Sequence, residues 1–410
     1  MGRAPLWRRG ARRSSGAGVS WRAVGAACLS LLLAALIVLP SSEIVAASLP
    51  PVELASLKDV LDEDLTAALA SGDLASGTDA GVTIGVVVHG VRRILTYGTT
   101  KPDSVFEIGS ITKTFTGLIL AQMVEQHKVR LDEPVRALLP PGTVAPPASG
   151  AEITLLDLST HRSGLPRMPD NFKPADPSNP FADYDAKALY AFIASHGVGL
   201  PDKPRFLYSN LGAGLLGQAL AERAGTTFEA LLREQVTGPL GMHDTVFTLT
   251  PALNARLVPG HDSQHKPVRA WDDAALAGAG GIRSTADDML TYLEAQLHPE
   301  QLPPAVRATP EGETLAAAIG ASHVIQGDIG NGMRTALNWA VDESGTFGHN
   351  GATGGYSANA MFNPEKDFAV IVLCNTSVDQ RHFMDDLAHH IVQRLTGKPA
   401  VSLAPAPYRL

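Results

Sequence analysis

The stretch VFEIGSITKTFTG, Val105 to Gly117, sets Ser110 and Lys113 three residues apart directly after a glycine. The apolar residues that follow recur at helical spacing, so a helix is expected from Ser110 to about Gln126. On a helix, residues i and i+3 are surface neighbours, which brings the lysine amine to the serine hydroxyl. A free hydroxyl is a weak nucleophile and needs such a base beside it. The helix start adds unpaired N–H groups and a positive dipole end, which stabilise developing negative charge. Gly109 lets another backbone approach closely. The competing reading is structural, with Ser110 as an ordinary N-cap. A chain this long produces about one Ser-x-x-Lys by chance, and a second copy stands at Ser263–Lys266. Pro267 follows that copy, which removes a donor and disfavours helix at Lys266, and no apolar-periodic helix comes after it.

Two downstream motifs decide between the readings. Tyr208-Ser209-Asn210 is the only Tyr-x-Asn in the chain. A phenol beside a lysine can carry a proton, because a nearby cation favours phenolate, and an amide can orient a substrate carbonyl. Taken alone, the motif reads better as a loop tyrosine packing its ring with a capping asparagine. His349-Asn350-Gly351 lies in FGHNGATGGYSANAMF, a glycine-rich turn leading into a strand edge. Backbone N–H groups on such an edge can complete an oxyanion hole, and a histidine there can bind an anionic group. Its alternative is a plain hairpin turn, for which Asn-Gly is a strong signal.

The wider chain has the composition of a folded globular protein, 45% hydrophobic and 18% charged, with no long low-complexity tract. Residues 1–47 carry six arginines and one acid, leaving 27 basic and 40 acidic residues beyond them, a net of −13. A body that acidic is ill suited to nucleic acid or to anionic membrane surfaces. The Arg-rich start, the apolar run Ala23 to Leu39 and the small residues Val45 and Ala47 read as a signal peptide, with an uncleaved N-terminal anchor as the alternative. Cys374, in FAVIVLCN, reads as a buried, inert thiol.

A helix is expected in LPPVELASLKDVLDEDLTAALASG and a hairpin about His89-Gly90 in GVTIGVVVHGVRRILTYG. A mostly helical middle follows, with helices near 186–196, 211–224 and 227–236. A strand meander then runs through MRTALNWAV, GTFGHN, GYSANAMFN and DFAVIVLCN, and a last helix covers about 380–396. Strands at both ends around a helical middle imply one α+β domain, an antiparallel sheet flanked by helices plus an all-α insertion. The expected division is residues 1–47 as leader, 48–396 as catalytic domain (mixed part about 52–130 and 290–396, helical part about 131–289) and 397–410 as a flexible tail.

Ser-x-x-Lys, Tyr-x-Asn and a basic residue-x-Gly, in that order, resemble the serine β-lactamase and penicillin-binding superfamily. FEIGSITKTFTG, LLDLSTHRSGLP, GPLGMHDT, AGGIRSTADDM and NGATGGYSA look like blocks of its class C branch, which also holds D-Ala-D-Ala peptidases and esterases. The resemblance runs from roughly residue 80 to 396. It implies Ser110 as the acylated nucleophile, Lys113 as its proton partner and Tyr208 as a general base. It further implies Asn210 against the substrate amide, and the N–H groups of Ser110 and Ala352, with Gly351 beside them, as the oxyanion hole. Class C lactamases usually carry Lys-Thr-Gly where this chain has His349, familiar among the peptidase members. A His holds only part of a charge near neutral pH.

The resulting expectation is an exported, periplasmic or secreted serine hydrolase forming an acyl-enzyme, with β-lactam hydrolysis as the leading activity. D-alanyl-D-alanine carboxypeptidase or endopeptidase action, carboxylesterase action and a non-catalytic binding role are the alternatives. The partners expected are a small-molecule β-lactam, a D-Ala-D-Ala peptide or an ester. No cofactor, metal or nucleic acid is expected, membrane contact comes only through the N-terminal segment, and the chain is taken as a monomer. The absence of Gly-x-Ser-x-Gly excludes a nucleophile-elbow hydrolase. His389-His390, and His261 with His265, read as surface or cap histidines rather than ligands. Asp272-Asp273 reads as loop charge, and Asp287-Asp288 as a first helical turn. The loop from Arg167 to Asp185 is expected to border the site.

Overall fold

The computed structural model describes residues 50–66, 80–377 and 383–403. The leader, the second half of the predicted first helix, residues 378–382 and residues 404–410 lie outside the described residues. The strands, in chain order, are β1 (Gly81–Val88), β2 (Val91–Gly98), β3 (Val105–Glu107), β4 (Gly260–His261), β5 (Pro267–Val268), β6 (Arg283–Thr285), β7 (Gly327–Gly330), β8 (Met333–Thr335), β9 (Ala340–Val341), β10 (Phe347–Ala352), β11 (Ser357–Asn363) and β12 (Phe368–Cys374). Eight form one antiparallel sheet in the order β2-β1-β12-β11-β10-β9-β8-β7. The early hairpin is thus built into the late meander through the pairing of β1 with β12.

The inner strands β1, β11 and β12 are apolar along most of their length because both faces are covered. Alternate residues of β12 separate cleanly. Phe368, Val370 and Val372 pack with Leu57, Leu61, Leu387 and Ile391 from the first helix (Leu57–Asp64) and the last (Phe383–Leu395). Ala369, Ile371 and Leu373 face Met289, Leu290 and Leu293 of the helix Ala286–Leu297. At the β1–β2 turn, His89 and Gly90 both take the left-handed conformation, as the two-residue hairpin requires.

The helical part lies on that second side. Its centre is the helix Thr112–Glu125, buried from Thr112 to Met123, its apolar residues in the core and its buried threonines and Lys113 hydrogen-bonded. Around it stand Leu155–Ser159, Ala186–His196, Asn210–Ala224 and Phe228–Leu232, the last running into a π-helical turn. The region is not purely helical, since the short pairs β3–β6 and β4–β5 lie within its reach.

Several local expectations are corrected. MRTALNWAV is two strands, β8 and β9, because Ala336 N–H bonds back to Trp339 O and turns the chain between them. Residues 397–403 are not loose, since Val401 N–H donates to Gln393 Oε1 at 2.7 Å and Leu403 is buried. His390 is no surface group. It is buried, with Nε2 2.8 Å from Asp64 Oδ2, and Arg394 grips the same carboxylate at 2.6 Å. Burial pushes the Asp64 carboxyl up, but the Arg394 and His390 donors outweigh it and hold it below its ordinary range. His261 is also buried, against Asn375 O. Among the described residues no helix is long and apolar enough to cross a membrane.

Candidate active site

Ser110 is placed by contacts from three distant segments. β3 pairs with β6, and Ile108 N–H continues that pairing to Ile282 O at 3.0 Å. Gly109 then adopts φ +51°, and a side chain there would meet Ala352 N at 2.6 Å. The chain turns through one 3₁₀ turn, Gly109–Ile111, before the α-helix opens at Thr112. The helix therefore begins two residues later than the spacing predicts. The edge of β10 sits where a regular first turn would run, and Thr112 Oγ1 is held by Ile282 N–H. Ser110 thus lies in the 3₁₀ turn and Lys113 in the first turn of the helix, three residues on.

Lys113 Nζ donates to Ser110 Oγ at 2.8 Å and to Ala279 O at 2.6 Å, and its side chain is wholly buried. Burial lowers its pKa from the ordinary lysine range. Tyr208 and Asp273 pull in the other direction, and Arg167 adds to the lowering. The Tyr208 ring lies 4.9 Å from Nζ. Behind that ring stands His161, at 4.5 Å between centroids, and Arg167 covers it at 5.2 Å. His161 has a left-handed backbone and is buried; its Nδ1 accepts from Ser209 N–H at 3.1 Å, so the ring is neutral with its proton on Nε2. Sequence reasoning missed His161 as a support for Tyr208, although it stands inside LLDLSTHRSGLP.

Asn210 opens the helix Asn210–Ala224, capped by Ser209, whose Oγ accepts from Gly212 N–H. Among the described residues the Asn210 Nδ2 meets only Met168 Sδ and its buried Oδ1 has no partner, so one end of the amide is left for a ligand. On β10, a side chain on Gly351 would meet Ile108 O at 2.0 Å and Ser110 N at 3.0 Å. Gly351 and Gly109 thus bring the amide groups of Ser110 and Ala352 side by side, the arrangement an oxyanion hole needs.

The structure gathers these groups around one cleft of about 840 Å³, lined by Ser110, Tyr208, Asn210, Gly351 and Ala352, with Lys113 beneath its floor. The loop from Arg167 supplies Arg167, Met168, Phe172 and Phe181 to its rim. His349 is the exception. It opens onto a neighbouring cavity of about 400 Å³, shared with Tyr208 and Asn350. Although partly exposed to that cavity, it is desolvated, and this, then the Lys113 charge, pushes its pKa down to about 4, which reduces its charge near neutral pH. Its Nδ1 donates to Asn350 O, leaving Nε2 as a neutral acceptor. The second Ser-x-x-Lys forms the exposed turn between β4 and β5, and Ser263 and His265 merely border the cleft. Asp273, read from sequence as loop charge, lines a small recess beside Ser110, and Glu107, inside the opening motif, is buried behind it. Among the described residues no group of three or more His, Cys, Asp or Glu is placed to hold a metal.

Comparison with known proteins agrees with this geometry. The chain is 28% identical over 389 residues to the D-alanyl-D-alanine-carboxypeptidase/endopeptidase AmpH of Escherichia coli K12, an alignment covering 91% of this chain and 98% of that one. It is 27% identical to a β-lactamase of Pseudomonas fluorescens, over 78% of this chain and 93% of the other. It is also 27% identical to penicillin-binding protein 4 of Amycolatopsis lactamdurans, over 87% and 89%. The family model described as Beta-lactamase matches residues 66–394, which takes in the serine turn, the Tyr208 loop and β10 together, and the chain belongs to that family.

Proposed function

We propose that the chain is a serine hydrolase that works through an acyl-enzyme at Ser110, with β-lactam hydrolysis as its activity. One observation carries this reading: a fully buried lysine, its pKa lowered, donates a 2.8 Å hydrogen bond to the hydroxyl of a serine that lines a large cleft. In this scheme Ser110 Oγ attacks the carbonyl carbon, and its proton passes to the Lys113–Tyr208 pair. The oxyanion that forms is held by the Ser110 and Ala352 N–H groups. The C–N bond then breaks, the ring nitrogen takes the proton, and Asn210 holds the acyl amide. Water, deprotonated by the same pair, releases the acid and restores Ser110.

One observation favours a second reading on the same chemistry, a D-Ala-D-Ala peptidase. His349 stands where class C lactamases usually carry a lysine, and its lowered pKa leaves it without the positive charge that draws in a β-lactam carboxylate. Likeness to AmpH over 98% of that protein supports it. Export to the periplasm or beyond rests on the leader of residues 1–47, and the catalytic domain on residues 48–396.

A chromogenic cephalosporin assayed beside intact-mass detection of Ser110 tests both readings. Rapid turnover absent in Ser110→Ala supports the lactamase. A long-lived adduct without turnover, together with release of D-alanine from a pentapeptide, moves the assignment to the peptidase.

A further inference from the structure

Beside Ser110 the cleft continues into a recess of about 40 Å³, walled by Phe181, Trp271, Asn210 and Thr353 and closed by Asp273. Gly280 borders the recess. A Cβ there would lie 3.8 and 4.0 Å from the two Asp273 carboxylate oxygens and 4.0 Å from the carbonyl carbon of Gly109, so a larger side chain would fill the space between them. Among the described residues the Asp273 carboxylate makes no hydrogen bond and no ion pair. Its neighbours are otherwise engaged: Arg283 is taken by Asp272 and the buried Glu107, and Glu107 accepts from Trp271 N–H. The rings of Phe181 and Trp271, 5.1 Å apart at 56°, both line the space. An unpaired carboxylate at the end of a cavity with aromatic walls is complementary to a cation. The volume admits a group about the size of a water molecule or two, which selects a primary ammonium over a guanidinium or a quaternary amine.

We infer that Asp273 and this recess form a subsite for a primary ammonium group on the acyl side of the substrate. The inference rests on the acyl-enzyme reading at Ser110, since it is the acyl group that such a subsite would orient. Recognition is pH-dependent in a defined direction. Burial, then the neighbouring Glu107 charge, raises the Asp273 carboxyl to about 7, with Arg283 and Lys113 opposing and Asp272 adding to the rise. The carboxylate, and with it the preference, therefore grows as pH rises through neutrality.

The test uses two penicillins whose acyl side chains end in a primary ammonium or in its N-acetyl derivative. The acylation rate of Ser110 is read by intact mass at pH 8. The ammonium form is expected to react about tenfold to hundredfold faster, the range of a charge-assisted hydrogen bond. That ratio should fall to about one in Asp273→Asn and in Gly280→Leu, which fills the recess. Because the readout is a ratio within each protein, a general loss of activity cancels. Equal rates in the wild type, or a ratio preserved in Asp273→Asn, overturns the inference. So does an equal loss for both penicillins with the ratio intact, which would make Asp273 a group acting through Lys113. If neither penicillin labels Ser110, the acyl-enzyme reading has failed, and pentylammonium binding by calorimetry decides the subsite separately. Saturable binding abolished by Asp273→Asn upholds it, and no binding to the wild type sinks it.

Discussion

The chain contains Ser-x-x-Lys twice, and the two copies border the same cleft in opposite states. Ser110–Lys113 begins in a 3₁₀ turn that runs into a buried helix, with the lysine wholly enclosed. Ser263–Lys266 is exposed at every position. Asp262 organises it by accepting from Gln264 N–H at 2.8 Å and Lys266 N–H at 3.0 Å, while His265 sits in the left-handed region. A lysine in water remains a charged, solvated donor. Burial penalises the charged form and turns the same side chain into a base. The tetrapeptide therefore has chemistry only where the fold takes it out of solvent and brings a backbone edge against it.

The sharpest way to break this comparison is to remove each lysine. Lys113→Ala should lower the Ser110 acylation rate about 10²–10⁴-fold, the range for lost proton transfer. Lys266→Ala should stay within about twofold, as expected of an exposed surface position. Similar losses in both, or near-normal acylation in Lys113→Ala, would dissolve the distinction between the copies.

The next effect belongs to the backbone edge that only the first copy has. A methyl at Gly351 would lie 2.0 Å from Ile108 O. Gly351→Ala must push β10 away from the serine turn, at a cost of about 1–3 kcal/mol for an overpacked site. It should slow acylation as well, by separating the Ala352 and Ser110 amides. Denaturant titration and the intact-mass assay read the two losses, and a variant as stable and as fast as the wild type would mean that the edge does not complete the site.

How much of this was legible in the sequence follows the range of the interactions involved. The hairpin at His89-Gly90, the strands Ser357–Asn363 and Phe368–Cys374 and the helix Ala186–His196 are written in local period and turn chemistry, and they stand where that chemistry puts them. Ser110, Lys113, Tyr208 and Asn210 were named from motif order, and the cleft gathers them. The 3₁₀ turn was not legible, because it forms where Gly109 packs against Ala352, a residue far away in the sequence. Nor was Asp273. Two adjacent aspartates before a helical turn look alike in sequence, yet Asp272 turns outward to Asn179 and Asp273 inward to the recess. His390 escaped for the same reason, since its partner Asp64 lies at the opposite end of the domain.

A smaller effect sharpens the comparison from the side of the second copy. Asp262→Ala removes two acceptor contacts from the β4–β5 turn. It should cost about 0.5–1.5 kcal/mol, typical for local hydrogen bonds, and leave the acylation rate of Ser110 within about twofold. A large kinetic loss at unchanged stability would show that the turn takes part in the reaction after all.

The smallest expected change is in the pH response of His349, and it tests whether burial neutralises the cations around the first copy generally. With its pKa pushed down to about 4, His349 is already deprotonated at pH 5. KM for a carboxylate-bearing substrate should therefore be flat from pH 5 to 8, instead of rising through the ordinary His range, and should improve only as the pH falls toward 4. The sign for folding is opposite. Between about 4 and the unfolded value of 6.5 the unfolded chain binds a proton that the folded chain does not, so stability falls as pH drops through that window. His349→Gln should lose this part of the dependence, measured as a smaller fall in Tm between pH 6.5 and 4. A KM that climbs steadily between pH 5 and 8 would show that His349 keeps its proton, and that burial acts on Lys113 alone.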